Sequence, residues 1–212
     1  MNIASKVKIT LINIDGSPKF SKSQVAIDSL VASFNVSRKR NARHKLVSRR
    51  TRDRYEIADL IAASPNLLHL MAHGNHKGVL SSNRFKVINR NFRADVLRAY
   101  LAELEIYPDI DCVLMDACDT FYADWFEEVA RMLPRRQSII YIGTTDSVSW
   151  EQCTTYTSAF YLSFMQCDSI PATRSGRRLL FRQAHQDAMS FYKKVRQEPC
   201  PFRLKEIRSA LG

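Results

Sequence analysis

Asn66-Leu67-Leu68-His69-Leu70-Met71-Ala72, followed by His73-Gly74, is the stretch on which the fold turns. Its apolar residues fill both phases of a two-residue repeat. That pattern predicts a short strand buried on both faces, as in a parallel sheet covered by helices. Asp111-Cys112-Val113-Leu114-Met115-Asp116-Ala117-Cys118 repeats the pattern. Between the two, Leu97, Tyr100, Leu101 and Leu104 fall at i, i+3, i+4 and i+7, the spacing of an amphipathic helix. A strand, a crossover helix and a second buried strand predict two parallel neighbours in one sheet.

The rest of the chain extends this unit. Residues 6–14 alternate and predict a first strand, which Asp15-Gly16-Ser17-Pro18 breaks. Helices are expected over 22–34 and 53–63, with a short strand near Leu46-Val47 between them. Trp125, Phe126, Val129, Met132 and Leu133 define a helix that starts near Thr120 and stops at Pro134. Ser138 to Thr144 is a third buried strand, and helices over 150–166 and 174–194 follow. Strands alternating with helices imply an α/β fold, a mostly parallel sheet with helices on both faces. No repeat, low-complexity segment or linker divides the chain. One domain over 1–212 is expected, with a basic insert at about 36–54 and a C-terminal tail at about 195–212.

Composition narrows the function. The net charge is +11, and Arg38-Lys39-Arg40 through Lys45, with Arg49, Arg50, Arg52 and Arg54, carries much of it. Such a run suits an acidic protein surface or nucleic acid, and equally a solvated loop and the polar face of a helix. Between 38 and 54 no aromatic residue is available for base stacking. The five cysteines form no C-x-x-C pair, which leaves out zinc ribbons and thioredoxin-type motifs. No secretory signal pattern or membrane-length apolar run is seen, so a cytoplasmic location without membrane contact is expected. No cofactor is expected: six glycines supply no Gly-rich loop between a strand and a helix.

In an open parallel sheet, ligands bind beyond the carboxyl ends of the strands. The first buried strand ends at His73-Gly74 and the second at Cys118. An imidazole and a thiol therefore meet at one edge. Thiolate formation is aided by a neighbouring imidazole and by a helix N-terminus, here the helix expected from Thr120. Gly74 lets the backbone approach a substrate, and its N–H is a candidate oxyanion donor.

Leu67 to Gly74 resembles the strand-plus-His-Gly segment of caspase-like cysteine peptidases, in the H-L-x-x-H-G form of the bacterial CHAT branch. Val113 to Thr120 resembles the apolar strand and A-C-x-T element of that branch. Forty-five residues lead from His73 to Cys118, near the ~50 of caspases. Ile142-Gly143-Thr144 with Trp150, and Arg177 to Ala184, look like later segments of the same branch. The resemblance spans roughly 60–190. It implies a caspase-like three-layer sandwich and a Cys118–His73 dyad, with Gly74 and Cys118 N–H groups forming the oxyanion hole. No third carboxylate is implied, and His69 is expected in the core or behind the site. Asp116 stands where metacaspases, which cut after Arg or Lys, carry aspartate. Asp116 and Asp146 are therefore the candidate substrate-binding carboxylates, with Asp116 at the pocket floor; a structural hydrogen-bonder at a strand end and a turn residue are the plainer readings of the two. The expected partners are a dedicated protein substrate and a regulatory protein, in a bacterial defence or cell-death setting.

Two other readings compete. His69, His73, His76, Asp116 and Cys118 are all zinc-ligand types, but no H-E-x-x-H helix presents them. A basic, non-catalytic adaptor or pseudoprotease that binds a protein or nucleic acid would explain the charge without the chemistry.

Overall fold

The computed structural model describes residues 6–14, 18–36, 38, 44–51, 53–75, 79–81, 109–132, 137–167 and 170–209. Strands β1 (Lys8–Asn13), β2 (Lys45–Arg50), β3 (Leu67–Met71), β6 (Cys112–Asp116), β7 (Ser138–Thr144) and β8 (Phe202–Arg208) form one sheet. Its order is β2-β1-β3-β6-β7-β8, and only β8 runs antiparallel to its neighbour. Two short strands, β4 (His73–Asn75) and β5 (Val79–Ser81), make a separate antiparallel pair.

Among the described residues, five helices cover the sheet. On one face, α1 (Pro18–Val36), α4 (Trp150–Met165) and α5 (Arg174–Arg196) bury Ile27, Phe160, Phe164 and Phe181 against Leu11, Leu67, Leu114 and Ile140. On the other, α2 (Arg54–Ala62) and α3 (Ala123–Met132) bury Ile57, Ile61 and Val129 against Leu68, Val113, Met115 and Tyr141. This is why β3 and β6 read as unbroken apolar runs: alternate residues enter two different cores. The architecture is a mostly parallel α/β sandwich.

Several expectations change. The helix expected over 22–34 runs from Pro18, whose missing N–H costs nothing in a first turn. The helix expected over 97–104 lies outside the described residues. The expected C-terminal tail is instead β8, a full edge strand. Its burial pattern explains the difference: Phe202 and Ile207 are buried while Glu206 is exposed, which breaks a period of two. The basic insert is part structure. Lys45 to Arg50 form the other edge strand, where charge guards unpaired backbone. The Arg38 guanidinium donates to the Met165 and Cys167 carbonyls at 2.5 and 3.0 Å, closing the C-terminal end of α4. Residues 39–43 lie outside the described residues. Among those described, no helix is long and apolar enough to cross a membrane.

Two buried histidines make the fold acid-sensitive. His44 Nδ1 accepts from the Val7 N–H, and His185 Nδ1 lies 2.5 Å from the Tyr156 hydroxyl. Burial lowers each to about 4, with Arg38 adding to the effect on His44 and Arg203 to that on His185. The unfolded chain therefore takes up these protons first. Stability from the neutral rings is complete above about pH 6.5 and is lost as pH falls toward 4. Urea unfolding from pH 7.5 to 4.5 should show a plateau and then a decline of up to about 1.4 kcal/mol per pH unit for each histidine. A flat profile across that window would contradict their neutral burial.

Candidate active site

The site begins with the register of β3 and β6. Met71 pairs with Asp116, and the Ala72 N–H donates to the Asp116 carbonyl at 3.1 Å. Beyond this pair the two chains stay together: a Cβ built on Gly74 would lie 2.3 Å from the Cys118 carbonyl oxygen. The segment His73-Gly74 thus lies against the Cys118 backbone at the carboxyl edge of the sheet. Both side chains are partly exposed, and the His73 ring stands edge-on to Phe20 of α1 at 5.6 Å between centroids. Gly74 has a more immediate role than the substrate approach expected from sequence. A side chain there would strike the backbone that carries the sulfur.

The Cys118 turn is tied down on all sides. Asp119 adopts a left-handed conformation, φ 51°, and donates its N–H to the Asp146 carbonyl. Thr120 and Phe121 donate their N–H groups to the Thr144 carbonyl, and the Thr144 hydroxyl donates to the Ala117 carbonyl at 2.6 Å. Tyr141 hydroxyl donates to the Thr120 carbonyl at 2.7 Å. These bonds consume the backbone of 120–121, so α3 starts at Ala123 and not near Thr120 as expected. The helix end that meets the sulfur belongs to α4 instead. The Val148 N–H points at Cys118 Sγ at 3.3 Å, and the thiol reaches back to the Val148 carbonyl at 3.6 Å. Ser149 then opens α4 with a capping box to Gln152. Sequence reasoning missed Val148; the signal was Ser149-x-x-Gln152, which marks a helix start next to the thiol.

Asp116 does not stand open at a pocket floor. It is 1% exposed and points into the core, toward α4. Thr157 hydroxyl donates to both of its oxygens, at 2.8 and 3.0 Å. His69, fully buried, brings Nε2 to 3.0 Å from Asp116 Oδ2, close to it but without a hydrogen bond. Its Nδ1 lies 3.2 Å from the Tyr161 hydroxyl. His69 is thus a core group behind the site, as expected. The period-2 reading put Asp116 and Cys118 on one face; the turn after Ala117 separates them in depth. Asp146 is exposed beside the Cys118 turn and accepts from its neighbour, the Thr145 hydroxyl. Among the described residues no three His, Cys, Asp or Glu side chains gather as a metal-ligand set.

No family model and no curated relative matches the chain. Among solved structures it is similar to the complex of the pro- and mature domains of Porphyromonas gingivalis RgpB, at 11% identity and a TM-score of 0.52. That likeness covers 92% of this chain and 46% of the other, so the chain spans about half the length of its neighbour. At this identity the likeness carries the fold: a caspase-like α/β sandwich with a mostly parallel sheet.

Gly74→Ala tests the apposition. The new methyl group must push β4 away from the Cys118 backbone, at a cost of about 1–3 kcal/mol. Labelling of Cys118 by iodoacetamide, mapped by mass spectrometry, should change at least about fivefold while the melting temperature falls by several degrees. An unchanged labelling rate and melting temperature would show that the two chain ends do not touch.

Proposed function

We propose that the protein is a cysteine endopeptidase in which Cys118 is the nucleophile and His73 the general base. The observation that carries this reading is the contact of the Gly74 position with the Cys118 backbone, at the carboxyl edge of two parallel neighbours. RgpB, one of the structural neighbours, is a cysteine peptidase, which supports the reading at the level of the class.

The chemistry follows from the residues. His73 takes the thiol proton of Cys118, and the sulfur attacks the scissile carbonyl carbon. The oxygen of the tetrahedral intermediate gains charge, which N–H groups of Gly74 and Cys118 are proposed to accept. Collapse breaks the C–N bond, and His73 protonates the leaving amine. Water, deprotonated by His73, then hydrolyses the thioester and restores the thiol. Arg or Lys before the scissile bond remains the preferred substrate in our reading. It now rests on the exposed Asp146, beside a turn that also carries Asp119, and not on the enclosed Asp116. The H-L-x-x-H-G and A-C-x-T patterns favour the CHAT-type branch, a dedicated protein substrate and a cytoplasmic defence or cell-death role. The RgpB structure is a complex of a pro- and a mature domain, which favours a regulatory protein partner here as well.

Fluorogenic peptides that differ only before the scissile bond provide the test. Cys118→Ala and His73→Ala should each lower kcat/KM by at least about 10³-fold. Arg and Lys peptides should lead by about 100-fold, equivalent to ~2.7 kcal/mol. Asp146→Asn should remove about tenfold of that lead, a charge-assisted contact of ~1.4 kcal/mol. Full turnover in Cys118→Ala would end the peptidase assignment. Fastest cleavage after Asp or Leu would end the specificity assignment alone. A chain that turns over no peptide yet binds a protein partner would support the adaptor reading.

A further inference from the structure

The peptidase reading leaves a buried polar cluster without a part in the chemistry. His69 lies on β3 and Asp116 on β6, and both face the core beneath α4. His69 is level with Leu114 in the ladder, so Asp116 is its diagonal neighbour on the same face. Thr157 and Tyr161, one helical turn apart on α4, complete the group. Enclosing a carboxylate and an imidazole in a core this apolar is expensive, and hydrophobic residues of similar size commonly do as well or better for stability. The value of such a cluster lies in its geometry.

That geometry coincides with the site. His69 precedes His73 by four residues, and Asp116 precedes Cys118 by two. The helix that supplies Thr157 and Tyr161 begins just after Val148, whose N–H meets Cys118 Sγ. The cluster therefore joins the three elements that lie next in sequence to His73, Cys118 and Val148. We propose that His69 and Asp116 are a positioning pair: their contact, anchored to α4 by Thr157 and Tyr161, sets how His73 stands relative to Cys118. This inference rests on the dyad reading. Neither residue touches the substrate. Their effect passes through the imidazole–thiol geometry and needs His73 to be present.

A double-mutant cycle on the full chain tests this. The readout is the rate of Cys118 alkylation by iodoacetamide at pH 7, mapped by mass spectrometry, which needs no peptide turnover. The variants are Asp116→Asn, His73→Ala and the two combined, with melting temperatures measured alongside. Asp116→Asn should slow Cys118 about tenfold in the otherwise native chain. In the His73→Ala chain the same substitution should change the rate less than twofold. Equal slowing in both backgrounds would reduce the cluster to a structural role and overturn the proposal, as would no slowing in the native background. If Asp116→Asn fails to fold, Thr157→Val takes its place, with about threefold slowing expected in the native background and none without His73. His73→Ala alone reads the dyad: a Cys118 that alkylates equally fast without the imidazole removes the dyad assignment, whatever the Asp116 arm shows.

Discussion

The pairing of β3 with β6 governs the rest of the molecule. Five residues of each run side by side from Leu67↔Cys112 to Met71↔Asp116. His73 and Cys118 each lie two residues past the last pair, so their strands deliver them to the same level. A slip by one residue would turn both chains inside out, because each face of each strand already fills a different core. The two hydrophobic layers thus bring the His73-Gly74 and Cys118 segments to one edge of the sheet.

Strand β6 is fixed by a carboxylate at either end. At the amino end, Asp111 Oδ2 accepts from Asn66 at 3.0 Å and from Arg177 Nε at 2.6 Å, which ties the strand to α5. At the carboxyl end, Asp116 meets Thr157 and His69, which ties it to α4 and β3. Helices α4 and α5 also pack closely through Phe160, Phe164 and Phe181. The corner after α5 reaches the site wall from the other side. Glu198 is held to about 2 by hydrogen bonds from Tyr192, Gln152 and Arg196, so it stays ionised, and Gln152 is also the capping partner of Ser149. The Pro201 carbonyl accepts the Thr145 N–H. Hydrogen-bonded elements thus hold the Cys118 turn in place.

Much of this was legible in the sequence. Doubly buried strands announce themselves as continuous apolar runs, which is why β3, β6 and β7 and the edge that carries His73 and Cys118 could be read directly. Residues that depend on tertiary contacts were harder to see. β8 has a broken alternation because Phe202 enters the core on one face of the sheet and Ile207 the core on the other. Asp116 was misjudged because a repeat of two gives the face of a strand and not whether that face is open; Thr157, which encloses it, is 41 residues away. The start of α3 moved because the Thr120 carbonyl, which would have accepted an early intrahelical bond, is taken by the Tyr141 hydroxyl, 21 residues away. Pattern reports local periodicity, whereas the closing of a pocket is a long-range fact.

Among the described residues, the sheet ends in β2 on one side and β8 on the other. Both ends are cationic, with Lys45, Arg49 and Arg50 against Arg203, Lys205 and Arg208. Open sheet borders invite like chains to add on, and here any two copies approaching border to border bring matched positive charge together. That barrier is colloidal in origin. It weakens as the Debye length shrinks from about 10 Å at 0.1 M salt to 3 Å at 1 M. A polyanion that bridges two borders would convert the repulsion to attraction.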